Sequence, residues 1–362
     1  MKTIINKQLF VIPVIILMGC FLHSTRLKAQ DAQFSQFYNS PLSMNPSLTG
    51  AFNGGIRLLA NYRDQWHSIS KSAPYKTFAF SYDMGLMKKA ENTGFLGIGI
   101  SFLSDKAGDS QFGLNQVNLS LAYHVQISGY HTLSGGVMGG FAQRSINFNN
   151  LQWSSQCIDG NYDPNLPSYE TGYSSNKSYS DFGAGIQWTY SKGEIYSTAN
   201  NQFNMNTGIS FFHVSQPNVS FYSASKDNLP IKMVIHTNML ISFKNTKQSL
   251  IPSFEYIQQG PLKNIVAGIL LRLKLMDESK YTGRVKGAAI SLGGNCRIGD
   301  ALIPQVMMEF ANYAIGLSYD VNTSGLTGVT SGKGGFEISL RYINPNPFTG
   351  KSISTKTPRF FN

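Results

Sequence analysis

Apolar and polar residues alternate along most of this chain in stretches of about ten residues, the length that a tilted strand needs to cross a bilayer. In residues 75–83, Phe78, Phe80 and Tyr82 fall on one side of an extended strand, and small residues fall on the other. The same pattern returns in residues 117–125. Each stretch can therefore turn an apolar face to lipid and a polar face inwards.

We count about fourteen such stretches, an even number that brings both ends of an antiparallel sheet to the same side. They start near Gly55, Tyr75, Gly94, Gly113, Thr132, Ser180, Asn206, Ile231, Ser249, Asn264, Arg284, Leu302, Tyr313 and Gly334. With the amino end in the periplasm, the longest connection, Asn149 to Tyr179, lies on the outer side. The short connections Ser128 to His131 and Lys244 to Gln248 then lie on the periplasmic side, as bacterial barrels prefer.

Strands in hydrocarbon must pair all their backbone N–H and C=O groups, and only a closed sheet has no unpaired edge. A soluble β-sandwich would show the same alternation, but many long amphipathic strands in a chain with only 14% charged residues favour closure. We therefore predict an all-β fold, a transmembrane antiparallel β-barrel of about 14 strands. Glycines inside strands, such as Gly97 and Gly99, are interpreted as aids to curvature.

The first residues are typical of a secretory signal peptide. Lys2 and Lys7 precede the apolar run Leu9 to Leu22, and a possible cleavage site follows at Ala29. The apolar run is shorter than the ~20 residues of a membrane-spanning helix, which makes a retained anchor the weaker alternative. Cys20 leaves a second alternative open, cleavage and lipidation as a lipoprotein. We assign residues 1–29 to the signal peptide.

The formal net charge of +11 bounds the choice of partners. Four cations lie in the predicted leader, at Lys2, Lys7, Arg26 and Lys28, which leaves +7 for the mature chain. The remaining basic residues form no dense run, so the sequence does not favour nucleic-acid binding. The expected partners of this charge are outer-membrane lipid, anionic lipopolysaccharide or an acidic protein.

The sequence carries no motif for catalysis, metal binding or a cofactor, and we predict that the protein is not an enzyme. The histidines after the leader are widely separated, without a His-Glu-x-x-His or Gly-x-Ser-x-Gly pattern. His124 falls on the polar side of its strand and is expected to line the lumen. Glu255 and Glu309 lie within predicted strands and are expected to pair in the lumen with cations such as Arg272, Arg341 or Lys274.

The most distinctive residues lie just after the leader and in the last strands. They are Asp31 to Tyr38, Pro41-Leu42, Asn45-Pro46, Thr49-Gly50, Tyr62 to Trp66, Gly316 to Asn322 and Gly335 to Leu340. Together they resemble the PorP/SprF family of the type IX secretion system, found in gliding and other Bacteroidetes. The resemblance covers the layout of the mature chain, with specific motifs at both ends and generic barrel patterning between them.

The resemblance implies an accessory outer-membrane barrel that assists export or surface attachment of secreted proteins such as gliding adhesins. Its implied partners are a secreted surface protein and periplasmic components of the machine. The alternative is a porin-like solute channel. The layout predicted is a periplasmic N-terminal segment at 30–54, the outer-membrane barrel at 55–342 and a C-terminal tail at 343–362.

Two regions are the candidate partner contacts. In the N-terminal segment, Phe34, Phe37, Tyr38 and Pro41 are predicted either to plug the barrel base or to form a docking surface. The sequence does not distinguish the plug from the docking surface.

In the outer connection, Trp153, Tyr162 and Tyr169 offer large, rigid contact areas for a surface protein. The alternative is a connection folded inwards that closes the lumen. Cys157 and Cys296 both fall toward the outer end, and we predict a disulfide between them, since an oxidising compartment allows one.

Overall fold

The computed structural model of the protein describes residues 31–67, 75–88, 93–192, 202–276, 287–325 and 327–344. Fourteen antiparallel strands form a closed barrel, which confirms the predicted fold class. Within the described residues, no helix is both long and apolar enough to span a membrane. The signal peptide predicted at 1–29 and residues 345–362 of the tail lie outside the described residues.

Antiparallel neighbours along the chain make up most of the barrel wall. The barrel strands are β1 (Ile56–Gln65), β2 (Tyr75–Leu86), β3 (Gly94–Ala107), β4 (Phe112–Ser128), β5 (His131–Ser145), β8 (Asn176–Lys192), β9 (Phe203–Phe212), β10 (Lys232–Ser242), β11 (Gln248–Gln259), β12 (Leu262–Met276), β13 (Ala288–Arg297), β14 (Ala301–Phe310), β15 (Tyr313–Asn322) and β16 (Lys333–Asn344). The short strands β6 (Cys157–Ile158) and β7 (Asn161–Tyr162) form a hairpin outside the wall. The ring closes where β1 pairs with β16 over ten residue pairs, from Ile56–Asn344 to Gln65–Gly335.

The two faces of the wall differ as the alternation predicts. On β2, Phe78 and Phe80 point outwards and are exposed, while Ser81 and Asp83 point into the lumen and are buried. The outward face of the other strands carries a similar band of exposed leucine, isoleucine, valine and aromatic side chains. This apolar exterior suits contact with lipid, and the polar residues are kept inside.

The two ends of the barrel are unlike. One end, here the long-loop end, carries connections 146–175 and 213–231. The opposite end, here the short-turn end, carries tight connections at 129–130, 243–247 and 311–312, and its longer connections, 193–202 and 277–287, are shorter than either of the two above. β1 begins and β16 ends at the short-turn end, as an even number of strands requires.

Residues 31–54, here the lumen segment, lie inside the barrel. They form a 3₁₀ turn (Phe37–Asn39), a short helix (Pro41–Met44) and a second 3₁₀ turn (Pro46–Leu48). A proline opens each of the last two elements, where its missing N–H costs no hydrogen bond. The main hydrophobic core joins this segment to the inner wall. It consists of Phe37, Met44, Leu48 and Ala51 with Phe95, Met138, Phe212, Val234, Ile257 and Val266.

Candidate functional site

The lumen segment passes through the barrel from the long-loop end to the short-turn end. Asp31 lies beside His213 and Lys232, at the ends of strands that face the long-loop end. Gly50 lies beside Asp83, near the short-turn end of β2. The segment therefore follows the lumen over most of its length before the chain turns into β1.

Asp31 holds the first part of the segment through a cluster of charged groups. Its carboxylate accepts from His213 Nε2 at 2.7 Å and from Lys232 Nζ at 3.0 Å. His213 Nδ1 lies 2.9 Å from the Asp181 carboxylate, so both ring nitrogens face an anion. Gln259 completes the cluster by accepting from the Asp31 backbone N–H and donating to the Asp31 side chain.

The pKa of His213 is raised and that of Asp31 is lowered, so both shifts favour the charged forms. Burial alone would lower the pKa of His213, but the Asp31 and Asp181 carboxylates outweigh it and raise this pKa to about 9. Burial would raise the pKa of Asp31, but Lys232 and His213 hold it well below its usual range. His213 is therefore an imidazolium at neutral pH, and Asp31 is a carboxylate.

A second group of contacts holds the turn at Ser35 and Gln36. Both Glu337 carboxylate oxygens accept from this turn, from the Ser35 N–H at 2.7 Å and the Gln36 N–H at 2.9 Å. The Ser35 hydroxyl donates to Asp320 at 2.7 Å. Asp320 also pairs with Arg63 of β1 at 2.7 Å, so the same carboxylate contacts the segment and the wall.

Further along, buried asparagine and histidine side chains bind the segment's backbone turns. Asn45, fully buried, accepts from the Ser47 N–H at 2.9 Å and donates to His236 Nε2 and to the Ile186 carbonyl, both at 3.1 Å. His124 lines the lumen as expected, and its Nε2 donates to the Thr49 carbonyl at 2.8 Å. These contacts satisfy groups that the short helical turns leave unpaired.

Arg57 and Asp83 clamp the end of the segment at the short-turn end. Arg57 donates to both Asp83 oxygens, at 2.9 and 2.8 Å, and to the Leu48 carbonyl at 3.1 Å. Asp83 is fully buried and also accepts from the Gly50 N–H at 2.7 Å. Such a two-point pair with an added N–H is the strong form of a buried ion pair.

Glycines of the inner wall give the segment its space. A Cβ on Gly97 would lie 2.0 Å from the Thr49 carbonyl oxygen, and one on Gly136 would lie 2.5 Å from the backbone of Pro46 and Ser47. Real Cβ atoms do not approach backbone so closely. These glycines therefore let the segment's backbone touch the wall, in addition to any role in curvature.

A cavity of about 50 Å³ lies beside the lumen segment. It is lined by Asp31, Phe34 and Ser43 of the segment with wall residues such as Leu59 and Gln116. A space of this size holds a few waters. No group of three or more histidine, cysteine or acidic residues in the described ranges is placed to hold a metal ion.

The two long connections pack on each other and over the lumen. Phe148 lies against Tyr173, with ring centroids 4.0 Å apart, and against Phe221 at 6.5 Å. Backbone bonds from Ser174 to Phe221 and from Ser223 to Gly172 tie the connections together. Below them Val219 and Leu229 pack on wall residues Leu114, Ala142 and Tyr179. Connection 213–231 thus folds inwards as a cap, and 146–175 lies against it.

The structure separates the two sets of predicted contact residues. Phe34, Phe37 and Pro41 are buried inside the barrel and Tyr38 is half-buried, which is the plug arrangement of the two alternatives. In connection 146–175, Tyr169 is 78% exposed and Tyr162 is 38% exposed. Trp153 is half-buried and stacks near Phe148.

The disulfide suggested for Cys157 and Cys296 is not formed in this structure, where both residues are free and exposed. Cys296 alternates with the lumen-facing residues Asn295 and Arg297 on β13 and therefore points outwards, whereas Cys157 lies in the hairpin of connection 146–175.

Sequence reasoning overlooked the charged groups that hold the lumen segment. They are Asp31, Arg57, Arg63, Asp83, His213, Arg297, Asp320 and Glu337. Most occupy strand positions that alternate with apolar outward residues, so the two-residue period alone places them in the lumen. What no pattern indicated is the partner, because the segment was expected at the periplasmic mouth. The expected pairing of Glu309 with Arg272 and Arg341 is present, at 2.6 and 2.9 Å.

Comparison with known proteins gives one family and several barrels. The family described as type IX secretion system membrane protein PorP/SprF matches residues 26–342. None of the curated proteins compared with the sequence matches it.

Three solved structures illustrate the resemblance to membrane barrels. CdiB from Acinetobacter baumannii has 6% identity and a TM-score of 0.39, over 80% of this chain and 60% of that chain. BamA from Haemophilus ducreyi lacking POTRA domains 1–3 has 9% identity and a TM-score of 0.38, over 80% and 70%. A mutant of the monoaromatic hydrocarbon channel TodX has 10% identity and a TM-score of 0.42, over 84% and 93%.

Proposed function

This chain belongs to the PorP/SprF family of type IX secretion system membrane proteins, and we propose that it is a plugged outer-membrane anchor for secreted surface proteins. It is a β-barrel of the outer membrane. The long-loop end is taken as the outer face, because bacterial barrels keep long connections outside. Its client in this proposal is a secreted protein such as a gliding adhesin, which it helps to export or to hold at the surface.

The observation that carries the proposal is the filled lumen. Residues 31–54 occupy it, and their contacts reach the wall at both ends, through Asp31 and through Asp83. A solute channel needs a continuous aqueous path, whereas a binding protein needs only a rigid frame for its loops. We therefore favour binding over conduction, and we assign the protein no enzymatic activity.

The contact surface for the client is connection 146–175. It carries Asp159, Asp163 and Glu170 but no lysine or arginine, although the mature chain is basic overall. Exposed tyrosines with acidic neighbours suit a partner that presents basic and apolar groups. Tyr162 and Tyr169 are the central residues of this proposed contact.

The periplasmic end of the barrel is the proposed contact with the rest of the secretion system. We assign contact with periplasmic secretion components to the short-turn end, where the chain enters β1 and leaves β16. Lipid covers the apolar outer wall, and the basic balance of the mature chain attracts lipopolysaccharide at the outer leaflet.

Co-purification from cell envelopes tests the client contact. The double variant Tyr162→Ala/Tyr169→Ala is expected to lose at least about tenfold in recovered surface protein, because two exposed aromatic anchors are removed. Tyr130→Ala is the matched control, since Tyr130 is 52% exposed but lies at the short-turn end. Equal recovery with the wild type and the double variant would contradict the proposed contact.

Liposome swelling separates anchoring from conduction. Purified protein is expected to leave sugar-loaded liposomes as impermeable as empty ones, because the lumen segment fills the barrel. Rapid swelling with the wild type would contradict the anchor and favour a solute channel.

A further inference from the structure

The lumen segment binds on both sides of the place where the barrel closes. Closure joins β1 to β16, the first and last strands of the wall. Asn39 donates through its side chain to Ser339 of β16 at 2.8 Å, and its carbonyl accepts from Asn61 of β1 at 2.8 Å. One residue of the segment therefore bridges β1 and β16, whose junction is called the seam here.

Contacts around Asn39 repeat this bridging. Glu337 of β16 accepts from the backbone of Ser35 and Gln36, and Gln36 donates to Ser318 of β15 at 3.1 Å. On the β1 side, Arg63 donates to the Gln33 carbonyl. The turn at residues 33–39 is thus bound to both strands of the seam and to β15, the strand next to β16.

These groups are buried, so the contacts are made in the absence of bulk water. Asn39 and Asn61 are each 2% exposed, and Ser339 is also 2% exposed. Buried amides and hydroxyls are stable only when they are hydrogen-bonded. The inner surface of the seam is therefore completed by the lumen segment, in addition to the strand–strand hydrogen bonds.

The sequence distances at the seam are very unequal. Asn39 is 22 residues from Asn61 of β1 but 300 residues from Ser339 of β16. The entropy cost of closing a flexible loop grows with the logarithm of its length, so the probability of closure falls with about the three-halves power of the length. Once Asn39 is bound to β16, only 22 residues connect it to Asn61 of β1. β1 then meets β16 about 50-fold more readily than it would through a connection of some 300 residues.

We propose that the lumen segment is an intramolecular template for barrel closure. The segment docks first on the inner face of β15 and β16, through Ser35, Gln36 and Asn39. β1 then pairs with β16 from this short tether. The function is additional to surface anchoring and does not depend on it.

Two buried asparagines of the segment make a matched test. Asn39 bridges the seam, whereas Asn45 makes comparable hydrogen bonds to Ile186 and His236 on the wall opposite. Both are replaced by alanine in the full mature chain, in a background with Cys157→Ser and Cys296→Ser. Closure is followed during refolding into detergent micelles by disulfide formation between Tyr62→Cys and Ile338→Cys, which face each other across the seam.

A template predicts that Asn39→Ala slows seam closure by about tenfold, because a contact made before closure is lost. Asn45→Ala should leave the closure rate within about twofold and act on unfolding instead. Equal slowing by both variants, or no slowing by either, would overturn the proposal. If Asn39→Ala yields no closed barrel, Ser35→Ala is the milder variant, since it removes only the hydroxyl bonds to Asp320 and Arg297. An unchanged closure rate in Ser35→Ala would then count against the template.

Discussion

At the scale of single residues, neighbouring glycines on β5 face opposite sides of the wall. Gly136 faces the lumen, where a Cβ would lie 2.5 Å from the backbone of Pro46 and Ser47, whereas nothing lies within 4 Å of a Cβ on Gly135. We expect Gly136→Val to displace the lumen segment and to make liposomes swell. Gly135→Val should remain as impermeable as the wild type. Swelling by both variants, or by neither, would mean that Gly136 does not make room for the segment.

The buried pair of Arg57 and Asp83 should contribute strongly to stability. Asp83→Asn leaves the Arg57 guanidinium without its anion inside the barrel, which is expected to lower the free energy of unfolding by about 3 kcal/mol. Thermal unfolding in detergent, followed by the gel mobility of the folded barrel, measures the loss. Asp109→Asn, the same change at an exposed position, should have little effect. A similar small effect at both positions would show that the clamp is dispensable.

His213 should make stability depend on pH. Its folded-state pKa is raised to about 9, so its contribution is complete below the ordinary histidine pKa near 6.5 and is lost as pH rises through about 9. The loss amounts to about 3 kcal/mol across this window. The unfolding temperature of the wild type should therefore be lower at pH 9.5 than at pH 6. That of His213→Gln should be the same at both pH values. A parallel fall in both proteins would assign the pH dependence to other groups.

Asp31 acts in the opposite pH direction. Its pKa is held well below the ordinary value of 3.8, so its contribution is present above that value and is lost as pH falls further. The two shifts together leave the Asp31 cluster strongest between about pH 4 and 6.5.

Single residues show clearly what the sequence can and cannot indicate. Alternation placed Ser81, Asp83 and His124 on the inner face, because a strand reverses its side chains at every residue. It could not show that Asp83 meets Gly50 or that His124 meets Thr49. Those contacts depend on where a segment without any period lies, and only the assembled barrel decides that.

At the scale of elements, the strands and the short turns were predicted well, and the packing of the long connections was not. Every barrel strand begins within four residues of its expected start, because a two-residue period and turn residues are local signals. Connection 213–231 was not expected to fold into the lumen. Val219 and Leu229, which pack on Leu114 and Tyr179, are apolar residues in an irregular segment, and such residues do not reveal their partners.

The contact between the two long connections should depend on Phe148. Phe148 packs on Tyr173 from its own connection and on Phe221 from the other. We expect Phe148→Ala to make residues 149–173 several-fold more sensitive to added protease on intact cells, because local opening costs less when aromatic packing is lost. Tyr169→Ala is the matched control, since Tyr169 is 78% exposed. Equal sensitivity of the two variants would remove Phe148 from this role.

At the scale of the whole molecule, the number of strands and the closed ring followed from physical constraints on backbone in lipid. An even count of amphipathic stretches and the cost of an open edge were sufficient. The course of the lumen segment was not available from those constraints. The sequence indicates only that residues 31–54 lack a strand pattern, and both a plug and a periplasmic docking surface satisfy that description.

The bridge that Asn39 makes between Asn61 and Ser339 links two properties of the barrel that are usually separate. The first property is the junction of β1 and β16 in the wall, and the second is the packing of the segment in the lumen. Parting β1 and β16 would break at least one of the two Asn39 bonds, which are among the buried bonds that hold the segment. Displacing the segment would remove this inner bridge but would leave the ten residue pairs between β1 and β16, so the segment reinforces the junction from inside without replacing its strand pairing.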